Sequence, residues 1–137
     1  MRVLFDTNVV LDVLLDRQPW VIKSQELWQA HDDYRITGYL VASTLTDIFY
    51  VIRRAAGFDK AEQAVDLCLQ TFEICPVHRA ILKQAQALAG RDFEDNVQIA
   101  CAITTGLDAI VTRNPKGFKH SSVPVLSPQE LLNNLPS

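Results

Sequence analysis

Four short polar clusters interrupt otherwise hydrophobic runs in this chain: Asp6-Thr7-Asn8, Thr44-Leu45-Thr46-Asp47, Asp92-Phe93-Glu94-Asp95 and Thr112-Arg113-Asn114. The first follows Val3-Leu4-Phe5 and the last follows Ala109-Ile110-Val111. Both runs read as short buried strands, which puts Asp6 and Asn114 at or just past strand C-termini. Asp47 and Asp95 read as first-turn residues of helices. In an open α/β sheet, ligands and chemistry collect in the crevice outside the strand C-termini. Three carboxylates, those of Asp6, Asp47 and Asp95, meeting the amide of Asn114 there would make an oxygen-rich site. A hard cation such as Mg²⁺ requires ligands of that kind.

Each cluster also has a plainer explanation. Asp6 or Asn8 could cap a helix. Thr44 and Asp47 have capping-box spacing, and the helix dipole favours an acid in the first turn. Asp92 as N-cap with Asp95 three residues on is a similar arrangement. The helix after Asp95 is different, because Val97, Ile99, Ala100, Cys101, Ala102 and Ile103 make it apolar almost all round. Such a helix lies inside a domain, and an acid at its mouth is costly unless paired or metal-bound. Asn114-Pro115 suits a turn. In the functional reading, Thr112 and Asn114 supply neutral oxygens near a metal, and Arg113 or Lys116 contacts a phosphate.

The elements that must position these clusters can be read from periodicity. Residues 2–6 read as a buried strand and 8–15 as a short helix. A second helix is expected from Pro19 to His31, and 35–42 as a strand with a bend around Gly38. Over 44–56, Leu45, Ile48, Phe49 and Ile52 follow the i, i+3, i+4, i+7 rule, with Gly57 as the stop. Residues 60–71 repeat that pattern, 72–77 suit a short strand, and 78–89 a helix ended by Gly90. The buried helix spans about 95–105 and closes at Gly106. Residues 109–112 read as a central strand and 123–126 as an edge strand bearing Pro124. A last helix starts at Ser127-Pro128. Strands alternating with helices imply a mainly parallel central sheet between helical layers, a three-layer α/β/α architecture over residues 1–137.

Composition narrows the function classes. The 137 residues carry 48% hydrophobic and 21% charged side chains, ordinary for a globular domain. No apolar run approaches the ~20 residues of a membrane span. An acid at position 6 is too early for a secretory leader, so a cytoplasmic protein is expected. Cys68, Cys75 and Cys101 have no C-x-x-C spacing and read as buried thiols. His31, His78 and His120 lack zinc-pair spacing. A net charge of −3 argues against a broad electrostatic nucleic-acid binder but not against a local patch. Part of that charge is the proposed site, which a bound metal would offset.

Taken together, the four clusters resemble the PIN-domain nucleases. Val3-Leu4-Phe5-Asp6-Thr7-Asn8 matches the family's hydrophobic-Asp-Thr-Asn/Ser pattern. Asp47 falls where a second acid, usually Glu, sits early in a helix. Asp95 opens a buried Ala-rich helix in Phe93-Glu94-Asp95-Asn96-Val97-Gln98-Ile99-Ala100. Thr112-Arg113-Asn114 matches a Thr-Arg-Asp/Asn element after a strand, and Lys116-Gly117-Phe118 trails it as in the family. The resemblance runs in order over roughly residues 2–127. It implies a PIN-like fold and a Mg²⁺- or Mn²⁺-dependent endoribonuclease, with Asp6, Asp47 and Asp95 holding the metal and Asn114 as auxiliary ligand or water anchor. Asn8, Thr112, Arg113 and Lys116 would contact substrate. It further implies a VapC-type toxin that dimerises and is silenced by an antitoxin peptide across the acidic groove. Two departures stand out: Asp47 is shorter than Glu, and Asn114 removes a charge. They motivate an alternative, a catalytically weak or inactive PIN-like scaffold that binds RNA or a protein. A haloacid-dehalogenase-type phosphatase also starts with an Asp after a strand, but it wants a second Asp where Asn8 stands.

A homodimer is the expected assembly. On helix 44–56, Leu45, Ile48, Phe49 and Ile52 take the core stripe and leave Tyr50, Val51 and Arg54 on another face. Val65, Leu67 and Leu69 exceed what one stripe of helix 60–71 needs. An aromatic, an aliphatic and an Arg are the types enriched at interface centres.

Overall fold

The computed structural model describes residues 1–135. Its framework is a five-stranded sheet, with β1 (Arg2–Phe5), β2 (Thr37–Val41), β3 (Glu73–Cys75), β4 (Ala109–Val111) and β5 (Val125–Leu126) in the order β3-β2-β1-β4-β5. Every pairing is parallel, with Leu4 opposite Tyr39 on one side and Ile110 on the other. Parallel strands buried on both faces need near-continuous apolar runs. Val3, Leu4, Phe5, Ala109, Ile110 and Val111 supply them and are essentially inaccessible.

Side-chain alternation sends these residues to two separate cores. Val3, Phe5, Leu40 and Val111 pack against α1 (Thr7–Leu14), α2 (Val21–Asp32), α3 (Ala42–Ala56), α4 (Phe58–Thr71) and α7 (Pro128–Asn134). Leu4, Val41 and Ile110 pack against α5 (Arg79–Ala87), α6 (Phe93–Thr105) and Phe118 of a 3-10 turn, Pro115–Phe118. The result is the expected three-layer α/β/α arrangement. Each fully buried Leu, Ile, Val or Phe contributes about 1.5–3 kcal/mol of burial, so the two cores hold the strand ends in place. Among the described residues no helix is long and apolar enough to cross a membrane.

Several local readings are refined. Gly38 marks no bend; it lies within β2, and a Cβ there would come within 2.8 Å of the Phe72 ring. Its role is close approach. The second helix begins at Val21, two residues after Pro19. Helix α3 begins at Ala42, so Thr44 is not a cap; its hydroxyl meets that of Thr7 at 3.1 Å. Ser127 and Glu130 do form a reciprocal capping box. Gly106 closes α6 in the left-handed region at φ 70°. The three cysteines are free and buried, and burial pushes the thiols of Cys68 and Cys101 up to about 12, which makes them unreactive.

Candidate active site

The strand order reverses direction at β1, with β2 on one side and β4 on the other, and a crevice opens past the C-termini of β1 and β4. Asp6 is the residue after β1, and Thr112 follows β4 directly. The Asp6 amide donates to the Val111 carbonyl at 3.0 Å, which ties the two strand ends together.

Asp6 stands at the N-cap position of α1, but its side chain makes no cap hydrogen bond. Instead, Oδ1 accepts from Gln98 Nε2 at 3.0 Å and Oδ2 accepts from the Thr112 hydroxyl at 2.7 Å. The carboxylate is only 7% exposed. Two donors occupy half of its four acceptor sites and fix its plane, leaving the other half unused. Thr112 is itself fully buried, and its oxygen accepts from the Asn114 amide at 3.0 Å. The structure thus gives Thr112 a positioning role for Asp6 and Asn114.

Asp6, Asp47, Asp95 and Asn114 line one groove of about 430 Å³, as does Asn8. Asp47 reaches it from the second turn of α3 rather than the expected first, because the helix begins at Ala42 directly after β2. Asp92 caps α6, accepting from the Asp95 amide at 3.0 Å, and this aims the mouth of the buried helix at the groove. Asp92 and Glu94 line the same groove, so five carboxyl groups face it.

Burial, and after it crowding of like charge, shifts two of them. The Glu94 carboxyl is pushed up to about 7, first by burial and then by Asp47, whose charge faces it and whose carboxylate accepts a hydrogen bond from its protonated form. Asp95 is pushed up to about 6 by burial first and then by the charges of Asp92 and Asp6. Gly117 abuts Asp95 so closely that a Cβ there would collide with Oδ2. Among the described residues, no three His, Cys, Asp or Glu side chains already stand at the spacing that holds a metal ion. The donor chemistry nonetheless suits a hard divalent cation: carboxylate oxygens at high local density, whose protonation is raised by burial and then by mutual repulsion, both of which a cation would offset.

Three expected substrate contacts lie elsewhere, Thr112 being fully buried behind Asp6. Arg113 turns away from the groove: Nε and Nη2 bind the two oxygens of Asp12 at 2.8 and 3.3 Å, and the guanidinium lies over the Trp20 ring. Lys116 lines an adjoining cavity rather than the groove. Asn8 accepts from Arg17 at 3.2 Å, and Arg17 also reaches Asp12 at 3.6 Å.

Sequence reasoning missed Asp12, Gln98 and the extent of Glu94's involvement. Asp12 is an acid embedded in Val9-Val10-Leu11-Asp12-Val13-Leu14, and Gln98 is a polar residue in an otherwise apolar buried helix. A polar group on such a helix needs a partner, and that was the available signal.

A family model for the PIN domain matches residues 2–116 of this chain. No curated protein matches it in sequence. Among solved structures, VapBC2 of Rickettsia felis, bound to a DNA fragment from its promoter, is similar at 17% identity and a TM-score of 0.69, covering 93% of this chain and 98% of that one. VapC20 of Mycobacterium tuberculosis, described as a sarcin–ricin loop cleaving toxin, aligns at 13% identity and a TM-score of 0.69, over 85% of this chain and 92% of that one. A toxin–antitoxin complex from Klebsiella pneumoniae aligns at 21% identity and 0.67, over 92% and 97%. At these identities the likeness shows the shared fold.

Proposed function

This chain belongs to the PIN-domain family, and from that premise we propose that it is a divalent-metal-dependent endoribonuclease acting as the toxin of a toxin–antitoxin pair. The observation that carries the reading is the groove itself. Asp6, Asp47 and Asp95 come from three separate elements and line one crevice at the switch point of a parallel sheet. Nothing in packing requires three acids there, and their mutual repulsion is a cost.

In this reading Asp6, Asp47 and Asp95 hold Mg²⁺ or Mn²⁺, with Asn114 as neutral ligand or water anchor. The bound ion would acidify a water and neutralise charge developing on the phosphodiester. Gln98 and Thr112 keep the Asp6 carboxylate in one plane, so it need not reorganise when the ion arrives. Glu94 lies beside Asp47, and a bound cation would favour its ionised form, which would make up for the charge that Asn114 lacks. The fold shared with the Rickettsia and Klebsiella complexes supports an antitoxin partner.

Tyr50, at 61% exposure, and the exposed Phe58 pack on either side of the partly buried Phe49 ring, and these two exposed aromatics support self-association. Val51 contributes less than expected, because it is partly buried against the core.

The test is incubation of end-labelled structured and single-stranded RNAs with purified protein in Mg²⁺, Mn²⁺ or chelator. Internal cleavage dependent on the metal is expected. Stable RNA binding without cleavage in either metal would favour the catalytically inactive scaffold.

A further inference from the structure

We propose that the cavity adjoining the acidic groove is a cationic cradle for the phosphate next to the one being cleaved. An RNA strand would then run from the carboxylates directly onto a basic wall. The inference deepens the nuclease reading and rests on it.

The cavity measures about 430 Å³ and is walled by Arg91, Lys116, Lys119 and His120. It shares Asp92, Asp95 and Asn114 with the acidic groove, so the two are continuous. Arg91, Lys116 and Lys119 are exposed, and none makes an ion pair or side-chain hydrogen bond among the described residues. By contrast, Arg17 and Arg113 are engaged with Asp12, and Lys23 with Glu26. Asp92 and Asp95 offset part of this charge, but among the described residues neither closes an ion pair with the three cations, whose side chains stay free to meet an anionic ligand.

An acidic groove has a problem that this wall solves. Five carboxyl groups repel a phosphodiester, and a chain of net charge −3 offers no general attraction. Local cations must therefore supply the counterion-release term that holds a polynucleotide. Their spacing from the acids is set by structure. Phe118 is buried and anchors the turn carrying Lys116, while Gly117 lets that turn press against Asp95. On the other wall, Asn96 Nδ2 donates to the Gly90 carbonyl at 2.8 Å and fastens the loop bearing Arg91 to α6. Both walls are thus tied to the helix that presents Asp95.

The test uses the full chain carrying Asp6→Asn, which should bind without cutting, and a fluorescent single-stranded oligoribonucleotide. Affinity is read by anisotropy across a salt series. Adding Arg91→Gln and Lys119→Gln should reduce the slope of log affinity against log salt by about 0.7, the share of the one phosphate in the cradle. In the protein with Asp6 intact, the same pair should raise KM and leave kcat nearly unchanged. Both side chains are exposed, so the melting curve should not move. An unchanged slope in a double variant that still cleaves RNA would overturn the cradle and leave the nuclease reading standing. Loss of affinity for polyglutamate with the RNA slope unchanged would assign the cavity to an acidic peptide and also overturn it. Oligonucleotide binding absent altogether, with no cleavage by the wild type, would overturn both.

Discussion

Arg113 closes a two-pronged pair on Asp12, a carboxylate with no solvent exposure, and stacks over Trp20 with its guanidinium carbon 4.0 Å from the ring centre. This pair staples the loop after β4 to α1. The same loop carries Thr112, which orients Asp6, and Asn114, which lines the groove. The ion pair therefore lies one residue from the chemistry on each side without entering it.

Removing the guanidinium should leave Asp12 as a buried charge with only the longer contact to Arg17. Arg113→Met is expected to cost about 3 kcal/mol in urea unfolding. Arg113→Lys keeps the charge but not the fork or the stacking, and should fall between. An Arg113→Met protein as stable as wild type would show that the pair contributes nothing.

The architecture was legible because its signals are local. Buried parallel strands are short apolar runs, α3 and α4 carry clear 3.6-residue stripes, and Gly57 and Gly106 sit where helices stop. The acid groove was legible for a related reason: Asp6 and Thr112 stand directly after strands that the sheet order places side by side. What periodicity could not reveal was pairing across distance. Arg113 and Asp12 are 101 positions apart, and Gln98 and Asp6 are 92 apart. Nothing in one sequence says which buried polar groups meet. Spacing also suggested a cap at Thr44 that the backbone does not use, because β2 runs into α3 earlier than expected.

Gly117 offers a steric test of Asp95. Its backbone is not in the left-handed region, so alanine adds only a methyl group, aimed at Asp95 Oδ2. Gly117→Ala should displace that carboxylate and weaken Mn²⁺ binding by about 10–100-fold, with the far-ultraviolet spectrum unchanged. Isothermal titration would measure it. Undiminished affinity would remove Asp95 from the metal site.

The raised carboxyls of Glu94 and Asp95 predict a pH dependence. Both bind a proton more tightly folded than unfolded. Their contribution to stability is therefore full below the ordinary values of 4.5 and 3.8, and is lost as pH rises through about 7 and about 6. Metal-free protein should show a Tm that declines over that window, and millimolar Mn²⁺ should restore it at pH 7.5. Glu94→Gln with Asp95→Asn should flatten the decline and blunt the metal response. A double variant with the wild-type pH profile would contradict this assignment of the repulsion.

The aromatic cluster around Tyr50 predicts association. Wild-type protein should sediment as a dimer at tens of micromolar, and Tyr50→Asp should give a folded monomer. Tyr50 also borders the acidic groove, so dimerisation would set the groove of each subunit beside its partner. Monomeric wild-type protein at that concentration would end the dimer reading and leave the groove chemistry untouched.

The central claim is that the groove centred on Asp6 hydrolyses RNA with a divalent ion. Its most direct test is the single-turnover cleavage rate of one RNA by wild type and by Asp6→Asn, each with saturating Mn²⁺ and with chelator. Asn keeps the size of the side chain, and its Oδ1 can still accept one of the two hydrogen bonds that Gln98 and Thr112 donate to the carboxylate. It lacks the charge that would hold the ion. The account predicts cleavage by wild type in Mn²⁺ alone and a fall of at least about 100-fold in Asp6→Asn at unchanged melting temperature. Equal rates for the two proteins, or wild-type cleavage that persists in chelator, would contradict it.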